Sequence, residues 1–313
     1  MLEYALTLSP PVDAEAGESV LAAAVSDDGQ YAAVTTVDGA VSVWNVGRRE
    51  EIQSWPSAEF GGGARFLHFT AGGALLLLAG IDYSVERPAD AEGDLNYFML
   101  RNTDDGEIVR IWALEGARLT AISAAADGSK ILAGFSNGLI TLFNVDASTR
   151  EDFSLHTGKI TDIELSPDGR FAISSAVDAT ALYWNVDDGE VLQRFSHRNR
   201  ATVVAADNSF STGFSSDALD NQRLWDLTSG KQIAALGHQQ RWMYISNARF
   251  SSTGKRLLIA SPSKAVSVWN AINGDRIASW HIDHPVVDVA ETSLGDIVSI
   301  GSTGVVELWR REW

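Results

Sequence analysis

One short pattern recurs along the chain. Val43-Trp44-Asn45, Leu100-Arg101-Asn102, Leu142-Phe143-Asn144, Tyr183-Trp184-Asn185, Leu224-Trp225-Asp226, Val268-Trp269-Asn270 and Leu308-Trp309-Arg310 read as ends of equivalent strands. Their central residues are 57, 42, 41, 41, 44 and 40 positions apart. A period of this size marks one supersecondary unit copied along the chain, and a single copy cannot bury its apolar face alone. The clearest copy starts near His156. Residues 160–165 set Ile160, Asp162 and Glu164 against Thr161, Ile163 and Leu165, an edge-like or bulged strand pattern. Ser166-Pro167-Asp168-Gly169 is a turn, with Pro presetting φ and Gly taking φ > 0. Phe171 to Ser175, Thr180 to Trp184 and Val191 to Phe195 read as three further strands, separated by turns at 177–179 and 188–189.

This unit resembles a repeat of the WD-repeat (WD40-type) family of β-propellers, on His156, Ser166-Pro167-Asp168-Gly169, Asp178 and Trp184-Asn185. Seven units near 41 residues match a seven-bladed, all-β propeller of four-stranded antiparallel blades. The resemblance implies a buried hydrogen-bond set in each blade. In the fourth blade His156, Ser174 or Ser175, Asp178 and Trp184 take those places. Each such polar group costs about 1–3 kcal/mol if buried unpaired, so a structural role for His156 and Asp178 outweighs a catalytic one. Arg101 and Phe143 stand where the family has Trp, so two blades are expected to lack the full set.

The alternating segment Leu2 to Leu8 is the natural fourth strand of a last blade that has three strands after residue 285. The N-terminal strand would then close the ring and remove an open edge. The whole of 1–313 is expected to be a single propeller domain, with an insert at 81–94 in the second blade. The fifth blade reads as degenerate. Asp207-Asn208-Ser209 replaces the proline turn, and Ser215 to Gln222 reads as a lengthened second loop.

Composition narrows the function. The formal charge is −17, which argues against nucleic-acid binding and against anionic membrane surfaces. It favours solubility and basic partners. The longest apolar run, Ala74 to Ile81, is far short of a membrane span, so no membrane insertion is expected. There is no Cys, which excludes disulfides and thiolate metal sites. No basic start with an apolar core opens the chain. The default compartment is the cytoplasm, with a bacterial periplasm or envelope open if a leader was removed. The Ser-Pro-Asp-Gly turns and uneven repeats look like those of bacterial propellers.

No metal or cofactor is expected. The carboxylates of the 81–94 insert lack the ordered D-x-D-x-D-G spacing of a calcium loop, and His281-Ile282-Asp283-His284 reads as structural. No G-x-S-x-G, H-E-x-x-H or phosphate-cradling Gly loop is present. The resemblance therefore implies a non-catalytic scaffold for a protein or peptide partner, monomeric on its own. Its binding residues would lie in the loops that lead into each first strand and those that join strands two and three. Lys159, Arg198, Arg200 and Arg241 fall in those loops of consecutive blades and form a basic sector suited to an acidic segment. Trp242 and Tyr244 add an apolar anchor, and Tyr83 and Arg87 lie in the insert. The alternatives are a propeller enzyme with residues scattered around the channel mouth, and an envelope assembly component.

Overall fold

A computed structural model describes residues 20–37, 39–56, 64–81, 93–219, 221–236 and 244–311, and the backbone alone of 2–8, 71 and 311. Strand β1 (Leu2–Leu8) opens the chain. Blade 1 is β2 (Val20–Val25), β3 (Tyr31–Thr36), β4 (Val41–Asn45) and β5 (Glu50–Trp55). Blade 2 is β6 (Phe66–Thr70), β7 (Leu75–Ile81), β8 (Asp94–Asn102) and β9 (Ile108–Gly116). Blade 3 is β10 (Leu119–Ala124), β11 (Lys130–Phe135), β12 (Ile140–Asn144) and β13 (Thr149–Phe153). Blade 4 is β14 (Ile160–Leu165), β15 (Phe171–Ala176), β16 (Thr180–Asn185) and β17 (Val191–Ser196). Blade 5 is β18 (Ala201–Ala206), β19 (Thr212–Asp217), β20 (Arg223–Asp226) and β21 (Gln232–Ala235). Blade 6 is β22 (Asn247–Phe250), β23 (Arg256–Ser261), β24 (Ala265–Asn270) and β25 (Arg276–His281). Blade 7 is β26 (Val286–Glu291), β27 (Ile297–Gly301) and β28 (Val306–Arg311), completed by β1.

The fold is thus the all-β, seven-bladed propeller of four-stranded antiparallel blades that the period implies. β1 pairs antiparallel with β28, from Leu2 opposite Arg311 to Leu8 opposite Val306. The insert residues 82–92 and the stretch 237–243, which hold Tyr83, Arg87, Arg241 and Trp242, lie outside the described residues.

The chain divides into two compact units, residues 1–119 with 290–313, and residues 120–289. In each unit the core lies between successive sheets, as alternating strands require. In the first, Val41, Val43 and Trp55 of blade 1 meet Leu76, Leu78, Tyr97 and Met99 of blade 2. In the second, Leu132 and Leu142 of blade 3 meet Ile163, Leu182 and Trp184 of blade 4. Phe195 and Tyr183 then meet Trp225 and Phe210 of blade 5.

The polar alternation of β14 has a cause that lies in the next blade. Pairing with β15 slips between Ile160 and Asp162, so the strand is bulged, and the same slip recurs in β18 between Ala201 and Val203. An inner strand is a sheet edge, and its outward backbone groups need partners. Asp162 Oδ2 accepts from the Val204 N–H at 3.0 Å, and Glu164 Oε2 from the Ala206 N–H at 2.9 Å. The Thr161 hydroxyl donates to the Ala201 carbonyl at 2.9 Å. One face of β14 thereby hydrogen-bonds to the edge of β18.

The first turns explain where the sequence departs from its own pattern. In blade 4, Gly169 sits at φ 68 and its N–H donates to the Ser166 carbonyl at 2.8 Å. A Cβ there would stand 2.9 Å from the Lys130 side chain. In blade 5 the same place is taken by Phe210 at φ 51, a left-handed position that suits Gly. The Phe210 N–H donates to the Asp207 carbonyl, and the Asp207 carboxylate accepts from the N–H groups of Ser211 and Thr212. The Phe210 ring is buried among Tyr183, Val204 and Leu227.

Two terms compete at Phe210. Left-handed backbone costs about 1–2 kcal/mol for an L residue. Emptying a buried Phe site costs roughly 3–5 kcal/mol. Packing wins, so Phe210→Gly is expected to lower stability by about 2 kcal/mol in denaturant unfolding despite relieving the turn. A Gly variant as stable as the parent would mean that relief of the turn strain fully offsets the lost packing.

Candidate partner-binding face

In blade 4 four side chains form a directed chain of hydrogen bonds. His156 Nδ1 lies 3.0 Å from Asp178 Oδ2, and His156 Nε2 lies 2.9 Å from Ser174 Oγ. The Trp184 indole N–H donates to the same Ser174 oxygen at 3.2 Å. With its proton on Nδ1, a neutral imidazole donates to Asp178 and accepts from the Ser174 hydroxyl, which is left to accept from Trp184. Every donor is then satisfied. Burial pushes the His156 pKa down, against the pull of Asp178, which matches a neutral ring. Burial works to raise the Asp178 carboxyl, but bonds from Thr180, the Thr157 N–H and His156 outweigh it and hold it below the usual range. Ser175, the other serine open on sequence, instead shares a hydrogen with Thr161 at 2.8 Å.

Blade 5 carries a second set, at His197, Ser215, Trp225 and Asp217. His197 Nε2 and the Trp225 indole N–H each reach Ser215 Oγ at 2.8 Å. Asp217 stands farther off, 3.7 Å from His197 Nδ1. Its carboxylate is engaged by the Asn221 side chain and by the Leu219 N–H. The reading of this blade as degenerate, with a loop from Ser215, is corrected. Ser215, Ser216 and Asp217 end β19, and the loop begins after them. A signal was present: His197, Ser215 and Trp225 each fall 41 residues after His156, Ser174 and Trp184. The Gly-less turn and an Asp displaced by two positions concealed it.

These sets fix the loops at one end of blades 4 and 5. Asp178 ties the loop before β14 to the turn before β16, because it binds both His156 and the Thr157 N–H. The Val177 N–H donates to the Lys159 carbonyl at 3.0 Å. Forty-one residues on, the Ala218 N–H donates to the Arg200 carbonyl at 3.0 Å. In blade 4 this sets exposed Lys159 beside exposed Val177; in blade 5 it sets exposed Arg200 beside Ala218, and exposed Leu219 follows in the same turn. Arg198 is exposed in the same loop. In blade 6 the Tyr244 carbonyl accepts from the Ser261 hydroxyl at 2.7 Å, and the Tyr244 side chain is 62% exposed. Among the described residues none of Lys159, Arg198 and Arg200 forms an ion pair, while Asp178 and Asp217 are engaged within their own loops.

Carboxylates also lie on the inner strands, where an enzyme would need reactive groups. They are taken up by the framework. Asp288 accepts from Asn247 Nδ2 at 2.7 Å and from Arg249 at 3.2 Å. Asp162 and Glu164 hold the backbone of β18. Among the described residues no three His, Cys, Asp or Glu gather as a metal site. Among the described residues no helix is long and apolar enough to cross a membrane.

Comparison with known proteins agrees with this architecture. The family described as "WD domain, G-beta repeat" matches residues 13–45 and 148–185. The SIR4-interacting protein SIF2 of Saccharomyces cerevisiae is 25% identical over 210 residues, 61% of this chain and 38% of that protein. The COMPASS component SWD3 of the same yeast is 21% identical over 50% of this chain and 52% of its own length. GID complex subunit 7 of Schizosaccharomyces pombe is 26% identical over 45% of this chain and 30% of its own. The chain thus spans about half or less of the length of these relatives, all eukaryotic. Repeat matches, relatives and fold together support a WD-repeat β-propeller.

Asp162 gives a pH test of the inter-blade bonding. Burial pushes its pKa up to about 7, against the bonds from Val204 and Ile163 and the charge of Arg249. A carboxyl raised on folding favours the native state while protonated, and that stability is lost as pH rises through about 7. The unfolding midpoint is expected to fall as pH rises from ~4 to ~7 and to level off above that, and Asp162→Asn is expected to flatten that fall. An equal slope in the variant would show that Asp162 is already ionised below this range.

Proposed function

We propose that the chain is a non-catalytic WD-repeat scaffold that binds an acidic segment of a protein or peptide at the end of blades 4 to 6. The observation that carries this reading is an exposed cation whose carbonyl is bonded by the neighbouring turn, repeated 41 residues apart at Lys159 and Arg200, with exposed Val177 and Leu219 in those turns. An extended segment with carboxylates alternating with apolar side chains complements that spacing. Tyr244 supplies an aromatic contact in the next blade, a residue type enriched at binding hot spots. The sequence extends the sector to Arg241 and Trp242. Tyr83 and Arg87 of the insert are a second candidate contact region.

The chain acts as a monomer in this reading, and the local cations Lys159, Arg198 and Arg200 offset the repulsion that a net charge of −17 exerts on an acidic segment. The yeast relatives are named as an interacting protein and as components of complexes, which fits a scaffold role here. A bacterial affinity rests on the Ser-Pro-Asp-Gly turns and uneven repeats alone.

Capture from native lysate tests the reading. Wild type is compared with the triple variant Lys159→Glu, Arg198→Glu, Arg200→Glu, after both are shown to unfold at the same midpoint. Partners held by the wild type are expected to be lost from the variant, and to leave the wild type as salt is raised. Partners retained equally by both would remove this sector from the binding surface.

A further inference from the structure

We propose a second docking surface on the outer edge of blade 2, beside blade 1, that receives an extended apolar segment bracketed by basic residues. β9 differs from the outer strands β5, β13, β17, β21 and β25. It runs for nine residues where they have four to six. Natural sheets blunt their outer edges with charge. β13 does so with exposed Thr149, Arg150, Glu151 and Asp152, and β5 begins with exposed Glu50 and Glu51. β9 instead exposes Ile108 at 48%, Val109 at 53% and Ile111 at 54%.

The register places this stripe. Arg101, Met99 and Tyr97 of β8 stand opposite Ile108, Ile111 and Ala113 of β9 and share their face. That face looks toward blade 1, because Met99 and Tyr97 pack with Val41, Val43 and Trp55, and the Arg101 guanidinium lies 4.6 Å over the Trp55 ring. The turn before β9 is seated on blade 1 by Gln53 Nε2, which donates to the Asp104 carbonyl at 2.7 Å. Ile108, Ile111 and Ala113 therefore continue a buried row out into solvent, on the face of β9 that looks toward blade 1.

Charge selects the occupant. Asp104, Asp105 and Glu107 are exposed at one end of the stripe, and Glu115 is exposed at the other, on the Ile111 face. Arg110 stands opposite Leu100 and belongs to the other face. An apolar strip closed at both ends by carboxylates fits a segment of alternating aliphatic residues with Lys or Arg at its ends. This surface would carry a partner opposite in charge to the one that suits Lys159 and Arg200, so one chain could bridge two different partners.

The test uses the full chain and two labelled synthetic peptides, Lys-Lys-Val-Thr-Val-Thr-Val-Lys-Lys and its counterpart with every Lys replaced by Glu. Fluorescence anisotropy is expected to show saturable binding of the lysine peptide. Ile108→Ser with Ile111→Ser is expected to weaken it by about ten-fold or more at an unchanged unfolding midpoint, and Leu192→Ser on β17 is expected to leave it intact. Glu107→Lys is expected to weaken the lysine peptide without touching the stripe. Equal binding of both peptides, binding indifferent to the serine pair, or no binding of the lysine peptide would each overturn the proposal. Self-association of the chain that the serine pair abolishes would overturn it too, in favour of a second copy as occupant. The triple variant at Lys159, Arg198 and Arg200 leaves β9 untouched, so failure of one surface is separable from failure of the other.

Discussion

A single hydroxyl in each of two blades holds together the end that carries Lys159 and Arg200. Ser174 and Ser215 each meet a His and a Trp whose polar atoms are buried. In water each of those groups would be hydrated, so the fold must return a partner for each or lose about 1–3 kcal/mol per group. The Ser174 oxygen does this for two elements at once. It links the loop before β14, through His156, to β16, through Trp184. Asp178 then extends the link to the Thr157 N–H and to the turn it stands in. The loops that carry Lys159 and Val177 are placed by this core, and in the proposed scaffold role their exposed side chains would meet a partner without reordering the backbone. Pre-ordered loops of this kind avoid part of the entropy cost of binding.

The same constraint acts between blades. Inner strands are edges, and a propeller cannot leave their donors unpaired away from water. Blade 4 solves this with Thr161, Asp162 and Glu164, which reach across to Ala201, Val204 and Ala206. Blade 6 does so with Ser246 and Asn247, which reach Val286 and Asp288. Polar residues that would look misplaced in a buried strand are thus spent on bonding the neighbouring sheet. The carboxylates so used bond the framework of the neighbouring sheet.

Much of the architecture was legible because the repeat length is rigid. Trp184, Trp225, Trp269 and Trp309 mark the third strands at near-constant spacing, and turn glycines such as Gly29, Gly128, Gly169 and Gly254 mark the first bend in their blades. The second hydrogen-bond set was harder to see. Its His, Ser and Trp keep the 41-residue spacing, but Asp217 stands two positions early and Phe210 replaces the turn glycine. Turn chemistry read residue by residue assumes that Phe avoids positive φ, and here tertiary packing overrides that preference. The partners of Asp162 and Glu164 were hidden for another reason. Each carboxylate answers a donor 42 residues away, and a strand's own alternation does not carry that information. Exposed aliphatics were the least visible. Val177, Leu219 and Ile111 look like core residues in sequence, and only their places at a loop tip or an outer edge turn them into surface.

Amide hydrogen exchange of the wild type and Ser174→Ala tests the central claim most directly. Removing this hydroxyl leaves His156 Nε2 and the Trp184 indole unpaired. Exchange at Thr157 and Val177 is expected to quicken by an order of magnitude or more, in line with a loss of about 1–3 kcal/mol, while the amides of β24 in blade 6 stay protected. Unchanged exchange at both Thr157 and Val177 would contradict that claim, and would show that the loops are held in place by something other than the buried serine.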